Sequence, residues 1–325
     1  MPDEQVVGRF APSPTGPLHF GSLIAAVGSY CLARHEGGRW LLRMEDLDPP
    51  RVVAGAADEI LSALDCLGLH WDGEIIWQSR RIDVYAAAMD SLRERGLVFD
   101  CACTRREIQS RRSSVSEKRS LSGGEESGFA EEGPVYPGTC RSGLPAGRKP
   151  RTLRIRVPEE QVCFTDGVFG PMSQLLSRDV GDFVLRRADG LFAYQLAVVV
   201  DDAESGVNQV VRGADLLSST PRQIFLNASL GATVQEYIHL PLVVDENGQK
   251  LSKQQGADGI DYLGNAGGLI SAALSVLGQE LPAELVGVPP REQLFWAIRN
   301  FDLKKIPTVS MSLSDNKGRS ESPEV

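Results

Sequence analysis

The chain has 325 residues, 42% of them hydrophobic, which is enough apolar material for one large domain with an appendage. Its net charge of −9 argues against broad, non-specific nucleic-acid binding and leaves room only for a local basic footprint. The start, MPDEQVV, lacks a basic n-region and the longest apolar run, Leu191 to Val200, is too short to cross a bilayer, so a cytoplasmic protein is expected.

Val6 to Phe10 reads as a buried strand, and Pro12, Pro14, Gly16 and Pro17 then break regular structure. A helical pattern follows with Leu23, Ile24, Val27, Tyr30 and Cys31 on one side, and Gly37-Gly38 stops it. A second strand, Trp40 to Met44, runs into the acidic residues Glu45, Asp46 and Asp48. Strand, loop, helix and strand make a βαβ unit, which requires a parallel sheet and puts the chain in the α/β class. His19, Gly21 and Ser22 fall where the loop becomes helix. Free backbone N–H groups and the dipole attract phosphate there, and Gly16 and Gly21 permit close approach. The same residues also suit an ordinary βα turn with an exposed histidine.

Residues 52–68 and 80–95 read as amphipathic scaffold helices. Leu97 to Cys103 is a strand entering Cys101-x-Cys103, with Tyr136 and Cys140 further on. Six cysteines without a secretion signal suggest reduced thiols or metal ligands. Three are one short of a Cys₄ zinc site, so spacing alone leaves zinc and unrelated thiols both open. Cys31, Cys66 and Cys163 are expected in the core. Residues 110–133, rich in Ser, Gly, Glu and Arg, are expected to be disordered. Residues 141–156 carry six basic side chains and no acidic one; with Arg105, Arg106, Arg111 and Arg112 they could meet an RNA backbone or form a solvated loop.

From Thr152 to Arg187 strands and turns alternate, a β-rich insertion. ADG at 188–190 closes a hairpin into LFAYQLAVVVDDAESG, read as a buried strand and helix. NQVVRGADLLSSTPRQIFLNASLG then reads as strand, loop and helix, with Tyr194 and Arg212 at or near strand ends, where open parallel sheets have their ligand crevice. In LPLVVDENGQKLSKQQG a strand ends in the turn Asn247-Gly248 and delivers Lys250, Ser252 and Lys253 on a loop suited to a triphosphate. Residues 263–300 look like two small helices, and the tail from Lys304 is expected to be disordered.

APSPTGPLHFGS resembles the His-x-Gly-His signature of class I aminoacyl-tRNA synthetases in its glutamyl form, with Ser22 in place of the second histidine; RFAPSPTG and RMEDLDPPR are close to the same wording. KLSKQ resembles the second signature, Lys-Met-Ser-Lys-Ser, with Leu251 for Met and Gln254 for the last Ser. The resemblance implies a Rossmann-like parallel-sheet nucleotide fold that activates L-glutamate with ATP and Mg²⁺. It assigns ATP to His19, Gly21, Ser22, Lys250, Ser252 and Lys253. Of these, His19 and Lys253 would stabilise charge on the α-phosphoryl group, and Lys250 would neutralise pyrophosphate. It assigns L-glutamate to Arg9, Phe10, Ala11, Pro12, Ser13, Glu45, Tyr194 and Arg212. Arg9 and Arg212 would meet a carboxylate, Tyr194 would donate a hydrogen bond, and Glu45 would receive the ammonium.

Cys-x-Cys…Tyr-x-x-x-Cys is similar to the zinc site of glutamyl-queuosine tRNA(Asp) synthetases, implying one structural zinc on Cys101, Cys103, Tyr136 and Cys140. Too few residues follow Lys253 for a helical anticodon-reading domain. The resemblance therefore implies that queuosine in the anticodon of tRNA(Asp) accepts the glutamate. A minimal glutamyl-tRNA synthetase charging the 3′ end of tRNA(Glu) and a non-catalytic RNA- or amino-acid-binding paralogue are the alternatives. The expected division is 1–100 and 188–257 for the two halves of the catalytic domain, 101–187 for the inserted zinc-binding and β-rich subdomain, 258–303 for a helical appendage and 304–325 for the tail, in a monomer.

Overall fold

The computed structural model describes residues 5–110, 134–244 and 259–309, and the backbone of 311–312. Val7–Phe10 (β1) and Arg39–Met44 (β2) pair in parallel, and Ile76–Trp77 (β3) pairs with β2 in the same sense. A parallel pair needs a crossover, here the helix Phe20–His35, which buries Leu23, Ile24, Val27 and Cys31. Gln209–Gly213 (β9) and Glu236–Leu240 (β10) form a second parallel pair. Asn208 ties the two groups together. Its Oδ1 accepts from the Val7 N–H (2.8 Å), and its own N–H donates to the Val7 carbonyl (3.1 Å). The crossover helix comes so close to β10 that a Cβ on Gly28 would lie 2.7 Å from Leu240 Cδ1. The α/β class is what the structure shows.

Between the two groups lies the β-rich insertion. Val98–Cys101 (β4), Thr152–Ile155 (β5) and Val184–Arg186 (β8) make an antiparallel sheet in the order β4-β5-β8. Gln161–Asp166 (β6) hairpins with Gly170–Leu175 (β7) and joins β10 in parallel, which brings Asp166 under β10. Helices Ala266–Val276 and Pro290–Asn300 pack on the crossover helix. No helix among the described residues is long and apolar enough to cross a membrane.

Several local expectations are corrected. LFAYQLAVVV is not a strand: Tyr194–Glu204 is helical, and Phe192 makes only an isolated bridge to Arg186. With Gln195 its one polar residue, the run carries no clear period. The helix buries every residue from Leu196 to Asp202, so nothing in its pattern distinguished it from a buried strand. Cys31 is buried, but Cys66 and Cys163 are exposed. Cys66 ends the Ala56–Cys66 helix, and Cys163 lies on the outward-facing set of β6, where exposure alternates along the strand. The described part of the tail keeps regular structure past Lys304. Leu303–Lys305 is a helical turn, Ile306 is buried, and Met311–Ser312 (β12) pairs in parallel with Val243–Val244 (β11). Residues 111–133, and the loop holding Lys250, Ser252 and Lys253, lie outside the described residues.

Candidate active site and thiol cluster

The C-terminal ends of β1, β2, β9 and β10 converge on a cavity of about 380 Å³. Arg9, Phe10, Ala11, Pro12, Ser13, His19, Gly21, Ser22, Glu45, Tyr194 and Arg212 all line it, so every described residue assigned to glutamate or ATP meets there. The strand ends are held in register by the Glu45 N–H, which donates to the Pro12 carbonyl at 2.9 Å. The described residues on either side of positions 245–258 lie at this place. Leu242 and Val243 line the cavity, and the Ile260 N–H donates to the Leu18 carbonyl next to His19 (3.1 Å).

A buried chain of alternating charge forms the polar wall. Arg9 Nε donates to Asp202 (3.3 Å), Arg43 Nη1 donates to the same carboxylate (2.5 Å), and Arg43 Nη2 reaches Glu45 at 3.2 Å. Burial opposes ionisation of Asp202, but Arg43 and Arg9 outweigh it and hold its carboxyl below the usual range. For Glu45 the balance goes the other way: burial pushes its carboxyl up, with Arg43 and Arg9 only partly offsetting it. Glu45 is therefore the carboxylate in this wall that a ligand ammonium would stabilise most. Tyr194, at the start of its helix, has its phenol raised, first by burial and then by Glu45.

The two arginines are held differently. Arg212 donates from Nε to His239 Nε2 (3.1 Å), from Nη1 to Gln223 Oε1 (2.7 Å), and from Nη2 to Thr220 Oγ1 (2.8 Å) and the Leu216 carbonyl (3.4 Å). Those four commitments leave one N–H, on Nη1. Arg9 spends only Nε on Asp202 and one Nη1 donor on the Val211 carbonyl (3.4 Å), so Nη2 keeps its donors for a ligand.

His19 is the N-cap of the crossover helix. Its Nδ1 accepts from the Ser22 N–H (3.1 Å) and its Nε2 lies 2.9 Å from Ser22 Oγ. A Cβ on Gly21 would stand 3.3 Å from the imidazole, so the glycine lets the ring fold over the first turn.

Away from the cavity, Cys101, Cys103 and Cys140 place their sulfurs within 4.8 Å of one another, an arrangement that could hold a metal ion. The Cys103–Cys140 separation is 3.7 Å. Tetrahedral zinc with Zn–S bonds of about 2.3 Å spaces its sulfurs by about 3.8 Å, so the thiols fit that geometry. Tyr136 Oη sits 3.4 Å from the Cys101 sulfur and accepts from the Cys140 N–H at 2.8 Å. Burial would raise the Cys101 thiol, but hydrogen bonds with Tyr136 and the Cys103 N–H, helped by Arg154, bring it down to about 7. Gly181 (φ +71°) packs on the Tyr136 backbone so closely that a Cβ would lie 2.8 Å from its N and O atoms.

The basic stretch 141–156 is largely consumed by the protein itself. Arg141 pairs with Asp182, and Arg148 pairs with Glu107 (2.8 Å). Arg154 and Arg156 lie over the Tyr136 and Phe99 rings at 4.1 and 4.8 Å.

Reading the residues in isolation misses Arg43, Asp166, Asp202 and His239. The available signal was a charged or titratable residue inside an apolar run (RWLLRM, VVVDD, YIHL), because a buried polar group requires a partner. Arg51 and Asp215 also line the cavity.

Residues 5–278 match the family model described as tRNA synthetases class I (E and Q), catalytic domain. The chain is 53% identical over 314 residues to the glutamyl-Q tRNA(Asp) synthetase of Geobacter sulfurreducens, covering 95% of this chain and 96% of that protein. It is 51% identical over 306 residues to the protein of the same name from Dechloromonas aromatica, covering 94% and 97%. Among solved structures it is similar to a glutamate tRNA ligase from Elizabethkingia meningosepticum in complex with its amino acid. The TM-score is 0.77 at 26% identity, over 97% of this chain and 68% of that one. The cavity at the strand ends, the crossover-helix cap and these likenesses agree: the chain belongs to the class I glutamyl and glutaminyl tRNA synthetase family, ATP-dependent ligases, and within it to the glutamyl-Q tRNA(Asp) synthetases.

Proposed function

We propose that this chain activates L-glutamate with ATP and transfers it to the queuosine nucleoside in the anticodon of tRNA(Asp). The observation that carries the reading is the convergence of Arg9, Arg212, Glu45 and Tyr194 on the cavity that also holds the capped start of the crossover helix. Class I membership implies ATP with Mg²⁺, and the named relatives bring in glutamate and tRNA.

In this reading Arg9 offers its uncommitted Nη2 donors to a substrate carboxylate, and Arg212 adds a single directed N–H. Tyr194 and Ser13 donate hydrogen bonds, and Glu45 receives the ammonium. The glutamate α-carboxylate attacks the α-phosphorus of ATP and pyrophosphate leaves. Charge grows on phosphoryl oxygens next to His19, Gly21 and Ser22 at a helix N-terminus, where positioning and electrostatics supply most of the rate. Lys250, Ser252 and Lys253 belong to the loop whose described flanks border the cavity, and are assigned to the triphosphate. Cys101, Cys103 and Cys140 with Tyr136 hold one structural zinc, which would lock the end of β4 to the 136–140 segment. The chain works as a cytoplasmic monomer, with the catalytic halves at 1–100 and 188–257 flanking the zinc-binding and β-rich insertion.

Incubation with labelled glutamate, ATP and total tRNA, followed by digestion and mapping of the labelled nucleoside, tests the reading. Label on the modified anticodon nucleoside of tRNA(Asp) is expected. Label on the 3′-terminal adenosine of tRNA(Glu) would replace it with the minimal synthetase, and failure of glutamate-dependent ATP–pyrophosphate exchange would point to a non-catalytic paralogue.

A further inference from the structure

The antiparallel sheet β4-β5-β8 carries a second concavity, of about 230 Å³, lined by Arg93, Arg151, Arg186 and Arg187 together with Asp100. Its floor follows from register: Leu153 of β5 stands opposite both Asp100 of β4 and Arg186 of β8. Arg93 overhangs from the last turn of the helix Ile82–Glu94, and Arg151 and Arg187 flank the strand ends.

Two of the four arginines are used by the fold. Arg187 pairs with Asp189 (2.6 Å) and Asp48 (3.2 Å), while Arg186 donates to the Gly190 carbonyl and lies over the Phe192 ring. Arg93 and Arg151 are exposed, and among the described residues neither side chain makes a hydrogen bond or ion pair. Clustering like charge around one hollow is unfavourable unless a polyanion answers it, and the guanidinium fork is shaped for phosphate. In a chain of net charge −9 this is a local exception. The groove also has a fixed relation to the cavity. Arg187 is bonded to Asp48, which follows β2 in the same acidic loop as Glu45, a cavity-lining residue.

We infer that this groove binds the phosphate backbone of the RNA acceptor, with Arg93 and Arg151 as its contacts. The inference rests on the functional reading above. A nucleotide splayed into the cavity leaves its neighbours outside, and the surface that borders the acidic loop offers their phosphates this basic groove. Within the 141–156 run Arg141, Arg148, Arg154 and Arg156 are committed internally, which leaves Arg151, with its non-local partner Arg93, at the groove.

The test uses the full-length double variant R93E/R151E, with glutamate-dependent ATP–pyrophosphate exchange and glutamate transfer to total tRNA measured side by side. Exchange at wild-type rate is expected, with kcat/KM for tRNA down by roughly tenfold or more and the salt dependence of transfer shallower by one to two in log–log slope. The neutral pair R93Q/R151Q carries the same test with a smaller expected loss if charge reversal disturbs folding. Transfer with unchanged kcat/KM and unchanged salt slope overturns the inference, as does equal competition of inorganic phosphate against transfer by wild type and variant. A wild-type protein that exchanges pyrophosphate but labels no RNA defeats the functional reading itself, and is distinguishable because it needs no variant.

Discussion

Asp166 and His239 are bonded at 2.5 Å, both side chains fully buried, and the far nitrogen of the imidazole receives the Arg212 Nε–H at 3.1 Å. Burial, together with Arg212, lowers the His239 pKa to about 4 against the pull of Asp166. The ring is therefore neutral at working pH, donating from Nδ1 to Asp166 and accepting from Arg212 at Nε2. The carboxylate fixes the tautomer, the tautomer fixes the guanidinium, and the guanidinium is left with one donor.

His239→Ala removes the acceptor of a buried guanidinium N–H. Leaving such a donor unmatched costs about 1–3 kcal/mol, so the glutamate KM in pyrophosphate exchange should rise roughly tenfold or more. The ATP KM should stay near its wild-type value. His239→Gln, which keeps an acceptor, should recover part of the loss. An unchanged glutamate KM in the alanine variant would show that Arg212 does not depend on this chain of contacts.

The same histidine sets a pH dependence of stability. An unfolded histidine titrates near 6.5, whereas the folded one titrates at about 4. Between those values the unfolded chain binds a proton that the folded chain refuses, so stability is lost as pH falls from about 6.5 towards 4. The contribution at neutral pH is of order 3 kcal/mol. Denaturant melts of wild type and His239→Gln should diverge at pH 7 and draw together near pH 4; parallel profiles would contradict the assignment.

Asp202 carries two arginines, one of which, Arg9, lines the cavity at the strand ends. Asp202→Asn leaves Arg9 and Arg43 buried without their shared counter-charge, at a cost of roughly 3–5 kcal/mol. The thermal midpoint should fall markedly. Arg9→Lys keeps the charge but loses the planar fork, so glutamate kcat/KM should drop by a larger factor than stability does. Calorimetry beside exchange kinetics separates the two.

At the thiol cluster, the purified protein should contain about one equivalent of zinc. Serine at Cys101, Cys103 or Cys140 should abolish it, and a strong chelator should lower the melting temperature of the wild type but not of the serine variants. Gly181→Ala should weaken zinc retention without touching a ligand, because its φ of +71° and the 2.8 Å approach to Tyr136 leave no place for a methyl group. Metal analysis by mass spectrometry checks both, and full zinc in the alanine variant would detach Gly181 from the site.

Local order and chemistry together made much of this protein readable from its residues. The βαβ start was legible because strand, Pro/Gly loop and helix each have their own short-range signal, and Arg9, His19 and Glu45 sit at the joints of those elements. The start of the helix at Tyr194 was not legible, since the apolar stretch Leu196 to Val200 has the same appearance in either conformation. Nor was the outward face of Cys163, which depends on which side of β6 meets the core.

What the sequence by itself determined is the set of reactive groups and the local turns and caps that present them. Only the tertiary structure decided which of those groups are available. Arg141, Arg148, Arg154 and Arg156 became packing and ion-pair partners, while Arg93 and Arg151, far apart in sequence, came to border one groove. Asp166, on the inserted hairpin, came to govern Arg212 through β10. Such pairings depend on which strands lie side by side, and that is settled by burial and hydrogen bonding across the whole sheet, not by neighbours along the chain.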